Sequence, residues 1–230
     1  MTATQICTKI SRDTLDIFKN FATINSNILV KTGNTIRTIS PVKNVMAEAV
    51  VSETFDTQFG IWDLNKFLGT VSLFSDPEFE FEDNKVTILG KNGSSVVYYY
   101  AEPRLLTTID KEITMPDIVV DFNLTNSDMN DIQKAAAVLQ LPDLVVRSSN
   151  TGTIELVALD KKDPSTNSYS LEVGDNESGG EFNFYFKVEN MKMLPGNYDV
   201  SITEKVVSQF DNTTKDLKYW IALESDSNYN

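Results

Sequence analysis

Residues 11–40, SRDTLDIFKNFATINSNILVKTGNTIRTIS, decide the fold, because the spacing of their apolar side chains changes partway along the stretch. In the first part these side chains recur at helical spacing, which puts Leu15, Phe18 and Phe21 near one face. The runs NILVKT and TIRTIS that follow have the composition of strands, and Gly33 lies in the turn between them. The stretch therefore predicts a helix followed by strands.

Strand-like runs extend on both sides of this stretch. The segment TQICTKI precedes the helix, and VMAEAVV and TFDTQFGIW follow the first two strands. Asp63 is a suitable N-cap for a second helix that reaches Phe74, and FEFED, KVTILG and SVVYYYA then predict three more strands. The first half thus has the order strand, helix, four strands, helix, three strands.

The same order recurs in the second half of the chain. After the strand IVVDFNL, Thr125 or Ser127 can cap a helix through Gln140, and DLVVRSS, TIELVALD, SYSLEVG and EFNFYFKV follow as four strands. A short helix over about Glu189–Leu194 ends at Pro195, and YDVSITEK, VVSQF and KYWIALES again make three strands. The repeat predicts an α+β chain of two tandem domains, each with two helices against antiparallel sheets.

Prolines near both ends of residues 102–116 mark that segment as a connector between a first domain, residues 1–101, and a second domain, residues 117–230. Open sheets of this kind have edge strands at both ends of the molecule. Such edges favour head-to-tail association, which closes into a ring where the rotation between copies allows it. A monomer whose edges are guarded by charge is the alternative that the pattern leaves open.

The composition is acidic, with 20 Lys and Arg residues against 33 Asp and Glu residues and a net charge of −13. Nonspecific attraction to nucleic acid or to an anionic membrane is therefore disfavoured for the chain as a whole. No apolar run approaches the roughly 18 residues of a membrane span, and the first residues lack the order of a signal peptide. We expect an intracellular protein that does not enter membranes.

The sequence contains few of the residues that catalysis and metal binding need. It has no histidine, which removes the commonest general base near neutral pH and most catalytic zinc sites. No phosphate-binding glycine motif occurs, and Gly179 stands where a calcium-binding loop would need a ligand. We expect neither enzyme activity nor a metal or cofactor, although the sequence leaves a two-carboxylate hydrolase open.

Lysine recurs on the predicted helices although the chain as a whole is acidic. Every predicted helix or its flank carries lysine on the side opposite the apolar stripe. A surface lined by the helices would be the least acidic one on the molecule, and therefore a candidate for contact with phosphates. The candidate cations on or beside these predicted helices are Lys9, Arg12, Lys19, Lys66, Lys134 and Lys192.

Four strings in the chain carry a family resemblance: FKNFATINSNILVKTGNTI from Phe18, IWDLNKFLGTVSLF from Ile61, NMKMLPGNY from Asn190 and YWIALESDS from Tyr219. They closely resemble the DNA polymerase sliding clamps, or processivity factors, of T-even-type tailed phages. The strings span both halves, and the order of elements agrees throughout.

The resemblance implies a homotrimeric ring of clamp domains, two from each chain, with duplex DNA passing through a central hole. In such rings helices line the hole and sheets form an acidic outer wall. The resemblance therefore gives the six candidate cations loose, water-mediated contacts with phosphates that carry no base readout. It also implies partnership with a DNA polymerase, an ATP-dependent clamp loader and late-transcription factors in the cytoplasm of an infected host cell.

The resemblance further implies a surface that binds a partner peptide, such as the carboxyl-terminal peptide of the polymerase. We predict this site in the cleft by the connector and the last strand, with Leu105, Ile109, Tyr219 and Ile221 as its contacts. A ring-forming structural phage protein, such as a tube or baseplate component, is the alternative function, since acidic, strand-rich subunits suit that role too.

Overall fold

The computed structural model describes residues 7–109, 113–204 and 207–230. The chain forms two compact units, Met1–Asp110 and Lys111–Asn230. Their division lies within the predicted connector 102–116. The start of that connector is fastened to the first unit. The amide of Ala101, the residue just before it, donates to the carbonyl of Gly60 at 2.9 Å. The amide of Thr107 likewise donates to Asn27 Oδ1 at 3.0 Å. The limits of the connector and of the two predicted domains stay a prediction.

The first unit consists of antiparallel strands and two helices. Its elements are β1 (Cys7–Thr8), α1 (Arg12–Ile24), β2 (Ile28–Val30), β3 (Gly33–Ile39), β4 (Val45–Phe55), β5 (Phe59–Ile61), α2 (Leu64–Val71), β6 (Glu78–Phe81), β7 (Lys85–Leu89), β8 (Ser95–Tyr99) and a 3₁₀ turn at Pro103–Leu105. One sheet has the order β1-β6-β7-β8, while β3 pairs with β4 and β2 pairs with β5.

The helices of the first unit pack on each other and on the strands. Helix α1 lies against β3 and β4, and the rings of Phe18 and Phe21 on its inner face are fully buried. Helix α2 buries Phe67, whose ring meets the ring of Tyr98 on β8 at 5.2 Å in an edge-to-face arrangement. This packing places α2 beside the outer strand of the β1-β6-β7-β8 sheet.

The second unit repeats this order with one fewer α-helix. Its elements are β9 (Ile118–Leu124), α3 (Asn126–Leu139), β10 (Asp143–Ser148), β11 (Thr153–Leu159), β12 (Tyr169–Asp175), β13 (Phe182–Lys187), a 3₁₀ turn at Val188–Asn190, β14 (Tyr198–Thr203), β15 (Val207–Asn212), β16 (Leu217–Ala222) and β17 (Asn228–Tyr229). One sheet has the order β12-β11-β10-β13-β17, and the strands β16, β15, β14 and β9 follow one another in a second. Helix α3 packs on β11 and β12.

The predicted order of elements and the α+β class are confirmed, but the predicted helix at Glu189–Leu194 is wrong. Only a 3₁₀ turn at Val188–Asn190 is present. The backbone groups of Leu194 bond to side chains instead: its amide donates to Tyr219 Oη at 3.0 Å, and its carbonyl accepts from the Tyr198 hydroxyl. Because these groups have partners elsewhere, the segment does not need a helix to satisfy them. Strand β17 was not predicted.

The three α-helices of the described residues begin at residues that satisfy their free amides. Ser11 caps α1, Asp63 caps α2, and Thr125 forms a capping box with Asp128 on α3. Within the described residues, no helix is both long and apolar enough to cross a membrane.

Glu53 on β4 adds a second cap to α1. Its carboxylate accepts from the Ser11 amide and from the Thr14 hydroxyl, and only 9% of the residue is exposed. Burial alone would raise the pKa of Glu53, but the hydrogen bonds from Thr14 and Ser11 lower it below its ordinary value. The ionised carboxylate therefore fastens the start of α1 to the sheet.

Substituting Glu53→Gln should lower the free energy of unfolding by about 1–3 kcal/mol at pH 7, because an amide cannot accept from both donors. Since the folded-state pKa is lowered, the stabilisation by Glu53 is present above its unfolded pKa and is lost as pH falls through the folded pKa. Urea unfolding of both proteins from pH 7 downward should therefore show the difference shrinking with acidity. An undiminished difference at low pH would contradict this role.

Candidate nucleic-acid interface

Helix α1 presents two cations on its exposed face. Arg12 is exposed, and within the described residues it has no ion-pair partner. Lys19 lies further along the same face and donates to Asp16 at 2.8 Å. Arg12 is therefore the cation of this helix whose charge is least compensated.

Lys9 does not lie on a helix but in the segment between β1 and α1. Its ammonium group lies 3.0 Å from Asp76, which also pairs with Lys91 at 2.9 Å. The hydrogen bonds from Lys91 and Lys9 lower the pKa of Asp76, so that carboxylate stays ionised between two ammonium groups. Lys9 is consequently paired within the unit, and its contribution to any DNA contact is reduced.

Lys66 on α2 and Lys134 on α3 are both exposed and lie opposite the buried faces of their helices. Within the part of the chain that the structure describes, neither ammonium group has an ion-pair partner. The start of α2 is fixed because Asp63 accepts from the Lys66 amide at 2.9 Å. Each side chain therefore projects from a capped helix into solvent.

Lys192 is exposed on a loop rather than on the predicted fourth helix. The loop runs beside α3, because the side-chain amide of Gln133 donates to the carbonyl of Met191 at 3.1 Å. Beyond Lys192 the loop is held by the bonds of Leu194 to the two buried tyrosines. Lys134 and Lys192 are each next in sequence to a partner of the Gln133–Met191 bond.

The α-helices as a group carry no net charge. Their cations are Arg12, Lys19, Lys66 and Lys134, and their carboxylates are Asp13, Asp16, Asp128 and Asp131. The whole chain has a net charge of −13, so the acidic excess lies outside these helices. A polyanion would therefore meet less repulsion at the helices than elsewhere.

Of the four residues predicted for peptide binding, two belong to the first unit and two to the second. Leu105 is 59% exposed, and Ile109 lines a pocket of about 210 Å³ with Lys31, Arg37 and several threonines. Tyr219 and Ile221 are both 0% exposed within the second unit. Neither side chain is on the surface of this unit, because alternation along a strand indicates a face but not whether that face is covered. That the four residues bind a peptide stays a prediction.

Two strand edges with exposed apolar side chains were not recognised as a surface from the sequence. In the first unit, β8 is the last strand of its sheet, and Val97 and Tyr99 on it are 44% and 68% exposed. Leu73, which follows α2, is 73% exposed. In the second unit, β12 is the last strand of its sheet, with Tyr169 37% exposed and Val138 on α3 80% exposed. The run SVVYYY, which is apolar on both faces of the strand, is the sequence feature that could have indicated the exposed surface at β8.

The two edges have the same build, since each is an open strand with a helix packed behind it. Helix α2 lies behind β8 through the contact of Phe67 with Tyr98, and α3 lies behind β12. Within the described ranges no further strand covers the outer side of β8 or β12. No group of three or more metal-ligating side chains occurs among those residues either.

Comparison with known proteins places both units in one family. The profile described as "gp45 sliding clamp, C terminal" matches residues 121–225, and the profile described as "DNA polymerase processivity factor" matches residues 11–106. The chain is 32% identical to the sliding clamp of Enterobacteria phage T4, over 96% of this chain and 99% of that protein. It is 30% identical to the sliding clamp of Vibrio phage KVP40, over 94% and 99% of the two chains.

A solved structure has the same fold despite low identity. The crystal structure of PCNA from Thermococcus kodakaraensis matches with a TM-score of 0.68 at 13% identity, over 95% of this chain and 99% of that chain. At that identity the match establishes the fold alone.

Substituting Tyr219→Phe should release the loop that carries Lys192. The change removes the oxygen that accepts from the Leu194 amide, so the free energy of unfolding should fall by about 1–3 kcal/mol. Amide hydrogen exchange at Leu194 should also become faster. Tyr99→Phe at an exposed site is the matched control, and it should change stability by no more than about 0.5 kcal/mol. Equal effects of the two substitutions would show that the Tyr219 hydroxyl does not hold the loop.

Proposed function

Because the chain belongs to the phage sliding clamp family of DNA polymerase processivity factors, we propose that it encircles duplex DNA and tethers the replicative polymerase to its template. The charge distribution is the observation that carries this proposal. The helices carry no net charge, whereas the whole chain has a net charge of −13. This difference suits a ring with helices inside and acidic sheets outside. The proposed role is positional, and no chemical step is assigned to the chain.

The proposed assembly is a homotrimer in which β8 of one chain pairs with β12 of the next. Pairing of two open strands would continue each sheet across the boundary between chains. It would also bring α2 of one chain beside α3 of the other and cover the apolar side chains of Tyr99, Leu73 and Val138. Because the two edges lie in different units, the contact is head-to-tail and can close into a ring.

Sliding follows from contacts that are weak and carry no base readout. Among the six candidate cations, Arg12, Lys66 and Lys134 have no ion-pair partner in the described residues, and we assign them the main phosphate contacts. Lys9 and Lys19 are paired with aspartates and contribute less, while Lys192 contributes from its loop. Retention on DNA then depends on encirclement rather than on affinity.

The proposed partners are a clamp loader, the polymerase and late-transcription factors. It has no nucleotide-binding motif, so an ATP-dependent clamp loader supplies the energy for loading. Leu105 and Ile109 remain the residues assigned to the polymerase peptide, and the same surface serves late-transcription factors in the cytoplasm of an infected host. The family match disfavours a tube or baseplate subunit.

The first test of this proposal concerns assembly. Light scattering over a dilution series should give the mass of three chains at high concentration. The variant Tyr99→Glu should shift the mass toward one chain, because it places a charge on the strand edge that pairs. Circular dichroism of the variant should be unchanged, since Tyr99 is exposed. A single-chain mass for the unaltered protein at every concentration would rule out the ring.

The second test asks whether α2 and α3 face the DNA in the central hole of the proposed ring. Reversing both Lys66 and Lys134 to Glu changes the ring by about twelve charge units, and it should greatly reduce processive synthesis with loader and polymerase. The free energy of unfolding should change by about 0.5 kcal/mol or less for each substitution, since both side chains are exposed.

Lys43 and Lys162 provide the matched control for the helix pair. Both are exposed and, within the described residues, have no ion-pair partner, but they lie in loops. Reversing them to Glu makes the same change in charge and should leave processivity near that of the unaltered protein. If reversing Lys43 and Lys162 reduced processive synthesis as much as reversing Lys66 and Lys134, the helices would not face DNA.

A further inference from the structure

Strand β17 covers the outer edge of β13 in the second unit. The two strands are antiparallel, with Tyr229 opposite Phe182 and Asn228 opposite Asn183. Glu181 and Asn230 continue the pairing with reciprocal backbone hydrogen bonds of 2.8 and 3.2 Å. The first half of the β13 edge is therefore closed by the chain's own last residues.

The next part of the same edge is closed by a turn and a side chain. The carbonyl of Tyr185 accepts from the Glu224 amide at 2.9 Å, and the amide of Tyr185 donates to Ser227 Oγ at 2.9 Å. A serine hydroxyl thus takes the place of a backbone carbonyl where the segment turns away from the strand. We call residues 224–230 the edge segment.

Charge and aromatic contacts hold the edge segment in place. Lys161 lies 2.9 Å from Asp226 and 3.7 Å from Glu224, and its ammonium group stands 5.3 Å from the ring centroid of Tyr185. The ring of Tyr229 stacks on those of Phe182 and Phe184, with centroids 6.3 and 6.5 Å apart. The Lys161 side chain is only 18% exposed, while the side chains of Glu224 and Asp226 are 31% and 52% exposed, so the lysine is the better-protected member of each ion pair.

The opposite edge of this sheet has no such cover in the described ranges. Strand β12 ends the sheet with alternating exposed side chains, and Tyr169 is 37% exposed. The two edges are chemically alike, because each is a row of backbone donors and acceptors that can accept an antiparallel strand. An uncovered β13 would therefore compete with β12 for the same incoming strand.

We propose that the edge segment is a guard that prevents β8 of another copy of this chain from pairing with β13. The open β8 strand, with exposed Val97 and Tyr99, is the strand that an uncovered β13 edge would attract. Pairing at β13 would change the rotation between copies, so the assembly need not close. The inference rests on the proposed pairing of β8 with β12, and the guard leaves β12 as the open edge of this sheet.

The test loosens the guard without altering β13 itself. The double variant Lys161→Gln with Ser227→Ala removes the ion pairs to Asp226 and Glu224 and the acceptor for the Tyr185 amide. The control is Lys162→Gln with Ser225→Ala. Lys162 and Ser225 are exposed sequence neighbours of Lys161 and Ser227 and are of the same residue types. Ser225 lies within the edge segment, but among the described residues neither side chain makes a hydrogen bond or an ion pair.

Amide hydrogen exchange at Tyr185 should be at least about tenfold faster in the double variant than in the control. Light scattering should show species larger than those of the unaltered protein, with a size distribution that broadens with concentration. The control should match the unaltered protein in both measurements. Faster exchange with unchanged assembly size, even if the opened edge binds an added extended peptide, would overturn the proposal.

A triple variant identifies the strand that is excluded. Adding Tyr99→Glu to the double variant should abolish the larger species, because it blocks β8. If the larger species persist, the guard does not act against β8 and the proposal is wrong. Failure of the proposed ring would be seen separately, as a single-chain mass for the unaltered protein, whereas failure of the guard leaves that mass unchanged.

Discussion

Hydrogen bonding along strand edges is the constraint on which the rest of this structure depends. Every open strand carries amides and carbonyls that require a partner, and the two units meet this requirement in different ways. The β13 edge is covered by residues 224–230, while β8 and β12 remain open with a helix behind each. Each unit therefore keeps one open strand edge, and the proposed head-to-tail assembly pairs these two edges.

The distribution of charge depends on the same architecture. Antiparallel sheets that are covered by helices on one face leave the other face wet, and the acidic excess of the chain lies outside the helices. The helices balance four cations against four carboxylates, so they are neutral rather than strongly basic. A neutral surface suits a protein that must remain near a polyanion without being held at one position.

Periodicity was sufficient to predict α1, the strands other than β17 and the repeated order, because those features depend on which residues share a face. It could not predict the loop around Lys192, since the partners of the Leu194 backbone are tyrosines elsewhere in the sequence. It also could not show that Lys9 is paired with Asp76, or that Tyr219 is buried. Contacts that are distant in sequence, rather than local propensity, decide these points.

The two tyrosines that hold the Leu194 backbone also set an alkaline limit on the fold. Burial raises the pKa of Tyr198 to about 12, and burial likewise raises the pKa of Tyr219. Unfolded tyrosine ionises near pH 10, so the stabilisation from these hydroxyls is complete below that pH and is lost as pH rises through the folded-state values. Deprotonation of Tyr198 would remove the proton that it donates to Leu194. The loop beside α3 would therefore loosen at strongly alkaline pH.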